Sequence, residues 1–545
     1  TDFQKDFHSK LPITTSTQLS YDYRKRNFNQ YISYGFTLPT YPVYNLNQTS
    51  SQAVASANQL FVAGITQDQS KGGDYRETFV TYGYLLNQKI DFGDFGGISG
   101  GFRTDYSSAF GSGSKPFTFP RGDAYVRPSS FSFWQNSGIG NAVAEWKLRA
   151  AYGEAGIQPG AYDRQVTLPN SNIGNNTAFS LQYVQTNPNL QVEVSKEFEA
   201  GTDISLRGMK GNWLSAINLN FSYWIRKSEN VIYQVDIAPS QGANSIKDNA
   251  IFMSSNGVQG SLNINAYKGR NFSWDFTGNI GHQTSQIDRI NGPNIVLTAS
   301  AGSTSLVLTA GQKIGQLYGY KVFRSLDERR QDGTPYIDKA DYGKYQMVNG
   351  YVVDTATKGL LFTNEVYAFG DPNPKFNASF INGFTFKDFL TFSFQIDWVY
   401  GSHLYNQTKE WMYRDGIHGD FDKPVTINGR TAAYVAYYRS AYADYFGVQN
   451  GARNATKDYF YEDASFARLR NVSLAFDFAR IVNLKTFRRL QLVLTGRNLV
   501  TITDYTGFDP EVSSATTYNS SWDRGIDHNS MPNLKTWQVG LNIGF

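Results

Sequence analysis

The last eleven residues of the chain, KTWQVGLNIGF, narrow the possible folds more than any other stretch. Large apolar residues stand at Trp537, Val539, Leu541, Ile543 and Phe545, and polar or very small ones at Gln538, Gly540, Asn542 and Gly544. Successive side chains of a β-strand point to opposite faces, so this period of two builds a strand with one face for an apolar medium and one for a polar medium. The pattern recurs upstream. LTFSFQIDWVY sets Leu390, Phe392, Phe394, Ile396, Trp398 and Tyr400 against Thr391, Ser393, Gln395 and Asp397. INLNFSYWI sets Ile217, Leu219, Phe221, Tyr223 and Ile225 against Asn218, Asn220, Ser222 and Trp224, and EWKLRAAYG sets Trp146, Leu148, Ala150 and Tyr152 against Lys147, Arg149 and Ala151. Each run is near the length of about 9 to 11 residues with which a tilted strand crosses a bilayer, and its aromatic ends suit interfacial girdles. Strands of a soluble sandwich average about 5 to 6 residues.

Composition agrees with two-faced strands. Aromatic residues make up 15% of the chain, yet the hydrophobic total is 40% and the mean hydropathy is -0.43. No stretch approaches the roughly 18 to 20 apolar residues of a membrane helix, so a membrane-spanning form of this chain must be a β-barrel. Cysteine is absent, which excludes disulfides, thiolate metal sites and cysteine nucleophiles. The net charge of +4 is small and its cations are scattered, unlike a nucleic-acid footprint. The start of the chain has no basic segment followed by an apolar one, so Thr1 reads as a processed terminus or an internal point of a longer protein.

The two-residue period predicts strands over 16-25, 29-37, 75-88, 96-108, 121-136, 145-153, 190-207, 214-226, 258-267, 272-285, 374-386, 389-400, 464-478, 488-500 and 535-545. The fold class is therefore all-β, a transmembrane antiparallel barrel segment of about 15 strands. Connections alternate in length. Tight turns fall at Lys387-Asp388, Lys268 to Asn271 and Gly208 to Trp213; long loops fall at about 38-74, 154-189, 227-257, 286-373, 401-463 and 501-534. Outer-membrane barrels have short periplasmic turns and long extracellular loops, which puts Phe545 on the periplasmic side and Thr1 on the loop side. An odd count with termini on opposite faces implies missing strands. Residues 1-545 are expected to form the C-terminal part of one larger barrel domain.

Several stretches resemble the SusC-like branch of the TonB-dependent outer-membrane transporters, abundant in Bacteroidetes: WKLRAAYGEAGIQ (146-158), NPNLQVEVSKEFEAGTDISL (187-206), GQLYGYKVF (315-323), FGDPNPKFNASFINGFTFKDF (369-389), SFARLRNVSLAFDF (465-478) and LQLVLTGRNLVTITDYTGFDPEV (490-512). GGISGGFRTDYSSAFG (96-111) also resembles a strand of that branch, and the likeness runs from about residue 75 to the end. The resemblance implies a barrel of about 22 strands with an N-terminal plug and a TonB box. It also implies a SusD-like lipoprotein lid and import of oligosaccharides or peptides too large for porins. The plug, TonB box and early strands are missing from this sequence, so TonB would act through that missing part. Many relatives carry an Asp- and Gly-rich, calcium-like segment where this chain reads DERRQDGTPYIDKADYG. Here Asp332, Asp338 and Asp341 are too irregular for EF-hand spacing.

No motif points to an enzyme or to a cofactor. His8, His282, His403, His418 and His528 show no zinc-ligand spacing. GGISGG sits in a strand and lacks the dinucleotide-binding pattern, and adjacent Glu462 and Asp463 do not face each other across a sugar. In the 401-463 loop, Trp411, Tyr413, Arg414, Tyr434, Tyr437 and Tyr438 are candidates for contact with substrate or lid; the competing reading is that the rings pack loop against loop. Arg103, Asp105, Lys147, Arg149 and Asp397 are expected to face the lumen, since a mid-membrane charge facing lipid costs about 2 to 4 kcal/mol. Trp537 and Phe545 belong to the C-terminal assembly signal that the resemblance implies. The function that emerges is TonB-dependent nutrient import in the bacterial outer membrane. The alternatives are a non-transporting barrel scaffold whose loops hold partner proteins, and a plain diffusion porin, which the long loops oppose.

Overall fold

The computed structural model describes the chain apart from residues 1, 8–11, 33, 37–50, 54–72, 111–115, 167, 169, 174–175, 180–183, 210, 299–304, 331, 349, 357–360, 416, 420–423, 428–429, 434–457, 483–486 and 513–523. Fifteen strands follow one another in chain order across a single antiparallel sheet: β1 (Asp2–Phe7), β2 (Ile13–Ile32), β3 (Gly73–Phe92), β4 (Gly96–Ser107), β5 (Phe117–Val126), β6 (Val143–Ile157), β7 (Glu193–Arg207), β8 (Trp213–Asp236), β9 (Ser245–Lys268), β10 (Phe272–Ile290), β11 (Phe376–Phe386), β12 (Leu390–Tyr400), β13 (Phe466–Asp477), β14 (Arg489–Thr503) and β15 (Thr536–Gly544). A sixteenth member, Val184–Gln185, adds a short parallel pairing to β9. Among the described residues β1 and β15 do not pair with each other, so the sheet is an open, partial barrel. No helix of these residues is long and apolar enough to cross a membrane.

Register explains why the sheet has two unlike faces. One row of directly paired residues runs Lys147, Asp203, Asn220, Ser261, Asn279, Ser379, Asp397, Arg468 and Thr501 from β6 to β14. The adjacent row runs Leu148, Thr202, Phe221, Gly260, Ile280, Ala378, Trp398, Ala467 and Ile502. A one-residue slip would exchange polar for apolar along a whole strand, so the alternating sequence specifies the pairing. The final strand obeys the same rule: Trp537 is 76% and Phe545 78% exposed on the apolar face.

The expected strand count is right because two errors cancel. Spans 16-25 and 29-37 are mostly one strand, β2, which runs on through the expected break at 26-28; Arg26 meets Glu77 of β3 at 2.8 Å. The strand this removes is replaced by β1. The span 121-136 is also corrected: β5 ends at Val126, and Pro128 opens a 3-10 turn followed by short helices over Ser132–Gln135 and Gly138–Ala142. Proline presets that turn and lacks the amide a ladder needs.

The largest correction concerns 227-257, expected as a loop. It is a continuation of the hairpin β8–β9, each strand 24 residues long. Its apolar residues Val231, Val235, Ala250 and Ile251 pack with Ile287, Ile295 and Leu308 in a buried cluster beside the loops. The tight turn at Lys387-Asp388 is confirmed. Both residues have positive φ, 44° and 57°, the geometry of a two-residue hairpin turn that follows strand twist.

Long connections fold as well. The 286-373 loop contains paired strands Ile295–Thr298, Ser305–Leu308, Leu317–Val322 and Phe362–Gly370, and a separate hairpin over Tyr345–Val348 and Tyr351–Asp354. The 401-463 and 501-534 loops meet in a three-stranded sheet of Tyr461–Asp463, His403–Asn406 and Ile526–Asp527, next to helix α1 (Gln407–Asp415). Most of 38-74 lies outside the described residues.

Candidate functional site: a charged wall and its loop cover

Arg103, Asp105, Lys147, Arg149 and Asp397 lie on the polar face of the sheet. Arg103 donates to Asp105 at 2.7 Å and reaches Asp22 at 3.3 Å. Arg149 pairs with Glu199, donates to Ser222 and lies 3.6 Å from Asp203. That reach needs Gly201: a Cβ there would sit 2.8 Å from the Arg149 guanidinium. The Lys147 ammonium stands 4.7 Å from the Tyr125 ring centroid. Asp397 accepts from Arg470 at 2.6 Å, Gln395 at 2.8 Å and Ser379 at 2.9 Å.

Around Asp397 the wall becomes a site. Gln395 pairs with Asn471 and Ile396 with Leu469, which leaves Arg470 as an extra residue in β13 against β12. Against β14 the extra residue is on the other strand: Leu469 pairs with Val500 and Asn471 with Arg497, so Asn498 and Leu499 stand opposite Arg470. Such a bulge turns the strand and re-aims a side chain. Arg470 stands on the polar face beside Arg468, as residues two apart in a strand do, and bonds Asp397 there. Opposite, Asn498 takes a positive φ of 53° and accepts from Arg470 at 3.3 Å.

Both arginines hold the loop that follows β14. Arg468, only 2% exposed, donates to Thr501 at 3.0 Å and Glu511 at 2.7 Å and pairs with Asp509. Arg470 takes Glu511 in a two-armed contact, with bonds of 2.8 and 2.9 Å. Charged hydrogen bonds of this fork geometry are among the stronger ones in proteins. The returning limb joins in, because Asn533 donates its amide to Asp509 at 2.9 Å and its side chain to Glu511 at 3.1 Å. Burial pushes the Asp509 carboxyl up, but Arg468 and the amides of Glu511 and Asn533 outweigh it and hold it below the usual carboxylate range.

This cluster forms one side of a cavity of 790 Å³. The rest is lined largely by amides and hydroxyls, among them Gln259, Asn279, Asn377 and Ser379, with Arg524 from the loop. Such a surface offers many neutral hydrogen bonds to a polar guest.

Above it, the two loops are braced by buried polar contacts. Tyr505 donates to Asp527 at 2.8 Å and Thr408 to the same carboxylate at 3.0 Å. Burial and the Asp527 charge push the Tyr505 hydroxyl far above its ordinary pKa. Lys409 reaches Glu462 at 3.0 Å, and Glu462 accepts from Thr506 at 2.8 Å. Of the candidate loop residues, Tyr413 is 1% exposed, bonded to Tyr459 at 2.8 Å and packed on Phe460, so its ring serves the loop interior. Trp411 is half-buried and meets His528 edge-on at 4.7 Å. Arg414 lies on α1; Tyr434, Tyr437 and Tyr438 lie outside the described residues. Asp332, set in the calcium-like stretch, accepts from its own neighbour Thr334 at 2.6 and 2.8 Å.

The residues that sequence reasoning missed are Arg468, Arg470, Asp509 and Glu511. One signal for them was present. In FARLRNVSLAF the apolar positions shift phase between Leu469 and Val472, which is how an inserted bulge residue reads.

No family model matches the chain. It is 25% identical over 459 residues to TonB-dependent receptor P3 of Formosa agariphila, covering 81% of this chain and 43% of that protein. It is 24% identical over 456 residues to TonB-dependent receptor SusC of Bacteroides thetaiotaomicron, covering 81% of this chain and 41% of that one. The chain thus spans less than half the length of these curated relatives. Among solved structures, a chain of the RagAB peptide transporter superposes with a TM-score of 0.67 at 17% identity, covering all of this chain and 54% of that one. The chain is thus similar in sequence to TonB-dependent receptors and has the β-barrel fold of the solved transporter over its whole length. Within that class, the resemblance to the SusC-like branch read from the motifs is borne out.

Proposed function

We propose that the chain is the C-terminal barrel portion of a TonB-dependent importer of bulky nutrients, oligosaccharides or peptides, which works with a SusD-like lipoprotein lid. The observation that carries this reading is the continuous polar row from Lys147 to Thr501 backed by an apolar row. Such a wall separates lipid from a hydrated lumen, and the amide-rich cavity on its polar side suits a hydrogen-bonding cargo. Arg103, Asp105, Lys147, Arg149 and Asp397 then face the lumen, and the long loops and Trp411 face the cell exterior. Phe545 lies at the periplasmic rim. Upstream strands and a plug complete the barrel between β1 and β15, and that upstream part carries the TonB contact. The work of this portion is binding and gated passage, without bond chemistry.

Peptide mass spectrometry of the protein purified from outer membranes tests the reading. Peptides from a plug and further strands on the same or a nicked chain are expected. Their absence from the native complex would overturn it.

A further inference from the structure

The apolar face of the wall is unevenly covered. Along β8 it carries Leu219, Phe221, Tyr223 and Ile225, all large. Where β4, β5 and β6 run side by side, the register sets Gly96 against Val126, Ile98 against Ala124, and Ala124 in turn against Ala150. The side-chain volume missing there leaves a groove of 470 Å³, a size common for small-molecule sites. Rings close it at the end where the short turns lie: Phe92, Phe95 and Phe131 line it, and the Phe95 and Phe131 centroids are 5.0 Å apart. Phe131 belongs to the segment between β5 and β6, whose short helices turn Phe133 and Ile139 outward, 68% and 55% exposed. Apolar side chains so placed at the rim of a lipid-facing wall suit the interfacial zone of the bilayer. One pair of opposite charges stands at the same end. Arg127 directly follows the groove residue Val126, donates to the carbonyl of Asp94 at 3.3 Å and lies 3.2 Å from Glu145. Both side chains keep access to solvent, at 29% and 47%. Trp146, next to Glu145, packs on Trp134 and donates its ring N–H to Thr202 at 3.0 Å, the placing of an amphipathic ring at a membrane boundary.

We propose that this groove holds one acyl chain of a zwitterionic phospholipid of the periplasmic leaflet, with the headgroup phosphate on Arg127 and its ammonium on Glu145. The inference rests on the apolar face lying in lipid and adds a specific ligand to that reading. Hydrophobic transfer does not select the site, because a lipid tail in the bilayer is already in an apolar medium. Shape and charge select it. A chain in the groove meets carbon along floor and walls, where a flat face offers one side, and each added contact contributes dispersion. The headgroup meets a cation and an anion side by side, each open to a charged hydrogen bond.

Photolabelling of the intact receptor tests the site. The receptor is reconstituted in phosphatidylethanolamine vesicles doped with phosphatidylethanolamine that carries a diazirine in one acyl chain, and labelled peptides are quantified by mass spectrometry. Labelling around Phe95 and Phe131 is expected to exceed that around Phe221 on β8 by about fivefold, the factor given by one partly exposed ion pair. Ala124→Leu, at an exposed position lining the groove, fills it and should bring the ratio close to one. Arg127→Gln should lower the ratio and leave labelling at Phe221 unchanged. Both variants are compared at equal amounts of folded, heat-modifiable barrel. Equal labelling at the two places in the parent receptor would overturn the site and leave the lipid-facing wall standing. A ratio that neither substitution lowers would overturn it too, as would a groove shielded from label and crosslinked to a second copy of the receptor. Absence of label from the whole apolar face, β8 included, would instead refute the lipid-facing wall, and the site with it.

Discussion

Two stretches of the wall carry similar charges and use them differently. Around β6 to β8, Arg149 is satisfied by Glu199 and Asp203 on the neighbouring strand β7 and by Ser222 on β8 beyond it, all within the wall. Around β12 to β14, Arg468 and Arg470 reach past their neighbours to Asp509 and Glu511 in a loop. In the first region the ladder is regular from Lys147 to Glu193; in the second it is interrupted at Arg470. In the first region the charges are satisfied within the wall, while in the second, beside the bulge, they hold a neighbouring loop. Burial follows the same division, since Arg149 is 29% exposed and Arg468 2%.

Arg468→Ala should give the largest effect. It strands the buried Asp509 carboxylate and is expected to cost about 3 to 5 kcal/mol, seen as loss of hydrogen-exchange protection over 504–512 and 533–534. Protection there equal to wild type would place the loop's support elsewhere. Next comes a substitution on the closing strand. Leu541→Arg puts a charge on the apolar face and should cost about 2 to 4 kcal/mol if it sits near mid-membrane, whereas Asn542→Arg keeps its charge on the polar face. The first should accumulate much less folded, heat-modifiable barrel than the second, and equal yields would refute the assignment of faces.

Arg149→Ala tests the other half of the comparison and should cost about 1 kcal/mol, because its partners stay partly solvated. Its effect on denaturant midpoint should be a fraction of that of Arg468→Ala; parity would abolish the distinction between the regions. The smallest effect is expected from pH near neutrality. The Asp509 carboxyl titrates below its ordinary value, so its contribution is complete above that value and is lost only as pH falls through the lowered one. Protection of 504–512 should therefore hold from neutral pH down through the ordinary carboxylate range and fail below it. Failure at higher pH would show that Asp509 is not held by Arg468.

Legibility followed the range of the interactions. The closing strand and β12 were readable to within one residue at each end because alternation is a local property, and side-chain direction in a strand follows from chain position alone. The break expected at 26-28 is absent because long-range pairing carries the strand through it: Arg26 bonds Glu77, 51 positions away. Likewise 227-257 read as a loop, since the partners that bury Val231 and Ile251, namely Ile287, Ile295 and Leu308, lie further along the chain. Tyr413 and Trp411 could be placed in a loop from sequence, but which ring faces inward depended on Tyr459, Phe460 and His528.

The sequence by itself determined the two faces of most strands, because one apolar and one polar medium sort every second residue. Only the tertiary structure decided that Arg468 and Arg470 hold Asp509 and Glu511. A bulge and a returning loop bring these groups together across 41 positions, and no local pattern encodes which distant carboxylate a buried guanidinium will find.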